Sequence, residues 1–181
     1  EANSSPAGVA SVASFFVSRV DTKVDAALEA IGTPDALSLR GQAAIANAKL
    51  AYRRFGQLFG HDAFARLSAR GAMVQRPLWA STSTKNPDYR DVIYVEELIG
   101  PDTVNTLPMA TLEAFRDHGR VIPGLEHPDR DPSDVFDRIA GLGIDLDAVT
   151  EQLQADGVAA FAASYDELLA ALETKRSVVA D

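Results

Sequence analysis

The segment Val12-Ala-Ser-Phe-Phe-Val-Ser-Arg-Val20 is rich in Val and Phe and nearly continuous in apolar character. A strand with one wet face alternates polar and apolar residues. A run without that alternation suits a strand covered on both faces, as in a parallel sheet. Parallel strands cannot be joined by hairpins and need crossover helices. The chain that follows supplies them. Asp21 is placed to cap a helix through Val24, Ala27, Leu28 and Ile31, which stops at Gly32. A longer helix is expected from about Leu39 to Phe59, with Ile45, Leu50, Ala51, Phe55, Leu58 and Phe59 on its apolar stripe. A third helix spans Asp62 to Arg70. A second strand, Arg76 to Ser81, leads through the polar loop Thr82-Ser-Thr-Lys-Asn-Pro-Asp88 to a helix over Val92 to Leu98. A third strand is expected over Asp102 to Leu107, and a helix over Ala110 to Asp117. Alternating strands and helices predict an α/β fold with a parallel sheet.

The remainder reads differently. A loop rich in Pro, Asp and Gly runs from Pro123 to Pro132, and helices are expected over Ser133 to Leu142 and Leu146 to Ala155. Gly157 is placed to separate these from a last helix, Val158 to Lys175, with the stripe Phe161, Tyr165, Leu168, Leu169 and Leu172. The expected division is residues 1–122 for strands and their helices, and 123–181 for a helical extension with a frayed tail from Ser177.

Composition closes several routes. With no cysteine, the chain offers no disulfide, thiolate nucleophile or Cys-ligated zinc, which fits a cytoplasmic setting. A net charge of −9 argues against a nucleic-acid partner. No apolar run is long enough for a membrane span. Glycine-rich phosphate loops and dinucleotide fingerprints are lacking too.

Ligands of parallel α/β folds bind at the C-terminal ends of strands. Those ends carry Ser14, Phe16, Ser18 and Arg19, then Ser81 to Lys85, then Asn105, Thr106 and Pro108. An arginine fork, a lysine and several hydroxyls suit a phosphate group. Equally, Arg19 could pair with a carboxylate and Ser81 to Thr84 could be a solvated turn. His61, His118 and His127 match no metal spacing. Arg53-Arg54, Glu96-Glu97 and the acidic stretch Glu126 to Asp137 read as surface charge. Trp79 and Phe15 read as core.

Taken together, three segments resemble transaldolases. Val12 to Asp21 resembles their sixth-strand motif. Arg76-Pro-Leu-Trp-Ala-Ser-Thr-Ser-Thr-Lys-Asn-Pro87 resembles the seventh-strand motif of their longer bacterial branch, and Tyr94 to Pro108 the segment through strand eight. The resemblance extends to Arg176. It implies the C-terminal portion, strands 6–8, of a (β/α)8 TIM barrel with a C-terminal helical extension. It further implies transfer of a dihydroxyacetone unit between sugar phosphates (sedoheptulose 7-phosphate and glyceraldehyde 3-phosphate giving erythrose 4-phosphate and fructose 6-phosphate). A fourth-strand lysine forms the Schiff base, and neither a metal nor an organic cofactor takes part.

Carried over by position, Ser14 faces the substrate, Phe16 lines the pocket, and Arg19 and Ser81 bind phosphate. The family's second phosphate arginine falls on Ser83, and Lys85 is the nearest cation to take its place. A complete barrel runs to roughly 250 residues, so the Schiff-base lysine is expected upstream of Glu1. The missing N-terminal part of the barrel is then this chain's first partner. Lys23, after a helix cap, is expected to be exposed, and Lys85, in a polar loop, to stay protonated, so neither suits the role of nucleophile. An aldolase or isomerase on the same barrel, and an acidic binding module without catalysis, are the competing readings.

Overall fold

The computed structural model describes residues 5–126 and 131–179. Strands β1 (Val12–Phe16), β2 (Arg76–Ala80) and β3 (Val104–Asn105) form one parallel sheet in that order. Ser14 lies beside Leu78, Phe15 beside Trp79 and Phe16 beside Ala80. Leu78 in turn lies beside Val104, and Trp79 beside Asn105. Residues paired in register share a face. The face bearing Trp79 is covered, and Trp79 is fully buried with Phe15 edge-on to it at 5.8 Å. The opposite face is open: Ser14 is exposed and Phe16 is 37% exposed.

Helix α1 (Val17–Ile31) starts four residues before the expected cap at Asp21. Its first residues, Val17 to Val20, continue the apolar run that reads as a strand in the sequence. Their burial nonetheless follows a helical period, with Val17, Val20, Val24 and Leu28 on the inner face. Asp21 is therefore no cap of its own helix. It sits on the buried face and accepts from the Ala44 backbone N–H at 2.7 Å.

The long helix expected from Leu39 starts four residues later, and a short helix precedes it. Helix α2 (Pro34–Ser38) is capped by Thr33, and helix α3 (Ala43–Phe59) starts after a left-handed turn at Gly41. The buried positions of α3 are Ala43, Ala44, Ala46 and Ala48. Small side chains suit the close approach of α1, and Leu58, expected inside, lies beyond them near the end of the helix and is 53% exposed. Aromatic rings continue the apolar row from Phe55 to Phe59 and on to Phe64 of helix α4 (Asp62–Ser68).

Helices α5 (Ile93–Glu97), α6 (Met109–His118) and α7 (Pro132–Gly141) follow. The last packs on α3 through the buried Ile139, with ion pairs from Arg53 to Asp131 at 2.7 Å and from Arg138 to Asp35 at 2.5 Å. Glu96, expected on the surface, is 7% exposed. Arg90 grips it with two hydrogen bonds of 2.8 Å, and the Arg120 N–H adds a third. Those bonds hold its carboxyl below the usual range despite burial.

The chain divides into two compact units, with the division between Ile144 and Asp145. The second unit is helix α8 (Leu146–Val179), which runs through Gly157 without a break. A single glycine costs a helix only about 1 kcal/mol, too little to interrupt 34 residues. The tail expected to fray at Ser177 is still helical there, its hydroxyl donating to the Thr174 carbonyl at 2.8 Å. Phe161, Tyr165, Leu168, Leu169 and Leu172 are all exposed. Among the described residues no helix is long and apolar enough to cross a membrane.

Candidate functional site

The C-terminal end of the sheet gathers four of the five residues singled out from sequence. Ser14 and Phe16 stand on the open face of β1. Arg19 follows on the first turn of α1, its guanidinium 4.7 Å over the Phe16 ring. This cation–π contact holds an exposed cation at the mouth of the open face. The Ser18 N–H donates to the Ser81 carbonyl at 3.0 Å, which brings the end of β2 against the residue preceding Arg19. The N-terminus of α1 adds the positive end of a helix dipole.

Ser81 has φ of 54°, the left-handed region that a residue with a Cβ enters at a cost of about 1–2 kcal/mol. The hydrogen bond from Ser18 offsets part of that cost. Beyond the turn, Thr82 is fully buried and donates to Asn105 Oδ1 at 2.8 Å, fastening the loop to β3. Thr106 donates both its N–H and its hydroxyl to the Trp79 carbonyl. Pro108 starts α6. Lys85 stands apart from the four: it is exposed and donates to Ser83 Oγ at 3.1 Å.

Sequence reasoning missed the layer behind this site. Asp21 accepts from Tyr94 Oη at 2.6 Å as well as from the Ala44 N–H. Asp25, one turn on, accepts from Tyr89 Oη at 2.6 Å and from the Gly41 N–H at 3.0 Å. Two carboxylates four residues apart on a helix were the available signal. Burial pushes the Asp21 carboxyl up to about 6, although the bonds from Tyr94 and Ala44 pull the other way. Burial raises Asp25 as well. Both tyrosines are pushed above their ordinary values, by burial and by the carboxylates they face.

A pH dependence follows. The folded chain binds the Asp21 proton more tightly than the unfolded chain does. This contribution to stability is therefore full below about pH 4 and is lost as pH rises through about 6. A shift of this size corresponds to about 3 kcal/mol. Asp21→Asn keeps both bonds, with the amide donating to the Tyr94 oxygen. Its stability relative to wild type is expected to improve by about that amount between pH 4 and pH 7. Denaturant unfolding of both proteins across that range checks this, and a pH-independent difference would contradict it.

The histidines do other work. His61 caps α4, accepting from the Ala63 N–H at 3.2 Å. His118 bonds Asp91 at 2.8 Å and Asp117 at 3.2 Å, and the first of these contacts does most to raise its pKa. His127 lies outside the described residues. Among the described residues no three His, Cys, Asp or Glu side chains gather as metal ligands would.

Comparison with known proteins adds a family to this geometry. Residues 1–172 match the transaldolase/fructose-6-phosphate aldolase family. A transaldolase of Mycolicibacterium smegmatis is 53% identical over 164 residues, covering 90% of this chain and 44% of that protein. A transaldolase of Thiobacillus denitrificans is 56% identical over 159 residues, covering 88% of this chain and 44% of that protein. For a transaldolase of Frankia alni the figures are 52% over 170 residues, 93% and 46%. The chain spans less than half the length of these relatives. With its parallel strands, its strand-end arginine and hydroxyls and this shared sequence, the chain belongs to the transaldolase/fructose-6-phosphate aldolase family.

Proposed function

We propose that this chain forms strands six to eight of a transaldolase barrel and supplies the phosphate side of its pocket. In that reading the open face of the sheet is the barrel interior, and strands one to five, carried upstream, close over it. Residues 1–122 then belong to the barrel wall, and 123–181 to its helical extension. The observation that carries the reading is the convergence of Arg19, Ser14, Phe16 and Ser81 at one end of a parallel sheet. The relatives named transaldolase support the activity.

The complete barrel would take a ketose phosphate as Schiff-base donor and pass its dihydroxyacetone unit to an aldose phosphate. The setting is the cytoplasmic pentose phosphate pathway. Arg19 would hold the phosphate by its planar fork, which matches phosphate oxygens in pairs. Ser81 would present a short neutral donor, its carbonyl already engaged by Ser18. Phe16 would keep water from the reacting carbons while steadying Arg19 from below. Lys85, on the exposed loop, would add long-range attraction for the phosphate.

The nucleophile is assigned upstream. Lys23 and Lys85 are exposed, and Lys49 is held by Glu97 at 2.7 Å. A nucleophilic lysine is activated by an apolar pocket or a neighbouring cation, and these positions offer neither. The test is borohydride reduction of the complete barrel in the presence of fructose 6-phosphate, followed by peptide mapping. The label is expected on a lysine outside this chain. Label on Lys23, Lys49, Lys85 or Lys175 would overturn the assignment.

A further inference from the structure

Between Ser81 and Val92 the chain runs as a loop without helix or strand, yet its ends are tied to one helix. At the near end the Ser18 N–H of α1 donates to the Ser81 carbonyl. At the far end Tyr89 donates to Asp25, and just beyond the loop Tyr94 donates to Asp21, each at 2.6 Å. Asp21 and Asp25 lie on the same buried face of α1, two and six residues after Arg19. Each has one carboxylate oxygen left for the start of α3 and the turn ahead of it, which supply the Ala44 and Gly41 N–H groups. Four donors from two segments thus converge on two carboxylates of a third.

The surroundings fix these bonds in place. A side chain at Gly41 would bring its Cβ to 3.0 Å from the Tyr89 ring, and φ there is 72°. The turn therefore packs flat on the tyrosine only because the residue is glycine. Arg40 is held at Glu29, 2.8 Å away, and the charges of both act on Asp25, Glu29 raising its pKa and Arg40 lowering it. Placing two carboxylates a turn apart under cover is unfavourable by charge and by desolvation. Pure packing needs apolar residues at such positions. Carboxylates fix the direction and distance of what they bind.

We propose that Asp21 and Asp25 are positioning residues for phosphate recognition, acting through Tyr94 and Tyr89 to hold the Ser81–Val92 loop at a set distance from α1. Arg19 rides on α1, while Ser81 stands at the head of the loop. The aspartates therefore fix the spacing of the groups that would close on a phosphate from either side. The proposal rests on the reading of Arg19 and Ser81 as phosphate ligands.

The experiment uses the complete barrel and compares fructose 6-phosphate with unphosphorylated fructose as donor. Tyr89 is only half-buried, so Tyr89→Phe leaves the core intact, and Tyr94→Phe is the second variant. Each is expected to raise KM for fructose 6-phosphate about 5–20-fold, the effect of losing an oriented hydrogen bond. The turnover of fructose and its KM are expected to stay within about twofold. Inorganic phosphate is expected to inhibit both variants correspondingly more weakly. Equal losses with both sugars, or unchanged KM in both variants, would overturn the proposal. Arg19→Ala distinguishes that result from failure of its premise. If Arg19→Ala separates the two donors and the tyrosine variants do not, the positioning role is wrong while the phosphate site stands. If Arg19→Ala does not separate them, the phosphate site itself is wrong.

Discussion

Arg19→Ala in the complete barrel is expected to raise KM for phosphorylated donor and acceptor about 10–100-fold, because a charged hydrogen bond contributes about 1.5–3 kcal/mol. The turnover number should change far less, since in the proposed site the phosphate would be remote from the reacting carbons and held equally in ground and transition states. Arg19→Lys should recover little of the loss. A lysine ammonium carries the charge but lacks the fork, and it stacks less well on Phe16. Steady-state kinetics with each phosphorylated substrate check this. Unchanged KM values would remove Arg19 from the site. A fall in turnover without a change in KM would place it at the chemistry instead. Its stability should be close to wild type, because the side chain is exposed and its contact with Phe16 is worth about 0.5–1 kcal/mol.

Trp79→Ala is expected to have the largest effect on stability, about 3–5 kcal/mol, measured as the loss of unfolding free energy in denaturant. Trp79 is the largest fully buried side chain, at the centre of the covered sheet face with Phe15 edge-on to it. Its indole N–H has no partner among the described residues, so truncation forfeits volume and ring contact but no hydrogen bond. Trp79→Phe should therefore lose clearly less than Trp79→Ala. Equal losses from both substitutions would mean that the energy lies in the indole nitrogen after all. Since β2 is the middle strand, a collapse around Trp79 should also disturb Ser81, two residues on.

Much of this architecture is legible in residue order. The strand at Arg76 ends within one residue of its expected limit, because Gly71 and the polar Thr82-Ser-Thr bracket an apolar stretch. Helices α4 and α6 are recovered within two residues at either end. Ser14, Phe16, Arg19 and Ser81 lie within the wider set of strand-end residues that the ligand-binding rule for parallel sheets points to, and the resemblance to transaldolases narrows that set to these four.

Other elements were not legible, for physical reasons that can be named. Val17 and Val20 favour a strand by local propensity, and the helical period of the buried positions along α1 overrides that preference. Glu96 looks like surface charge until Arg90 and Arg120 are seen to enclose it. Gly157 looks like a stop, yet one glycine cannot outweigh the turns on either side.

The sequence by itself determined the alternation of strands and helices, the parallel sheet that this alternation forces, and the chemistry available at the strand ends. Those properties depend on periodicity and residue type, which are local. Only the tertiary structure decided that Asp21 and Asp25 turn inward and take hydroxyls from Tyr94 and Tyr89. Those partners lie 73 and 64 residues away along the chain. A carboxylate's cost of burial is set by which donors reach it, and no local pattern specifies donors at that separation.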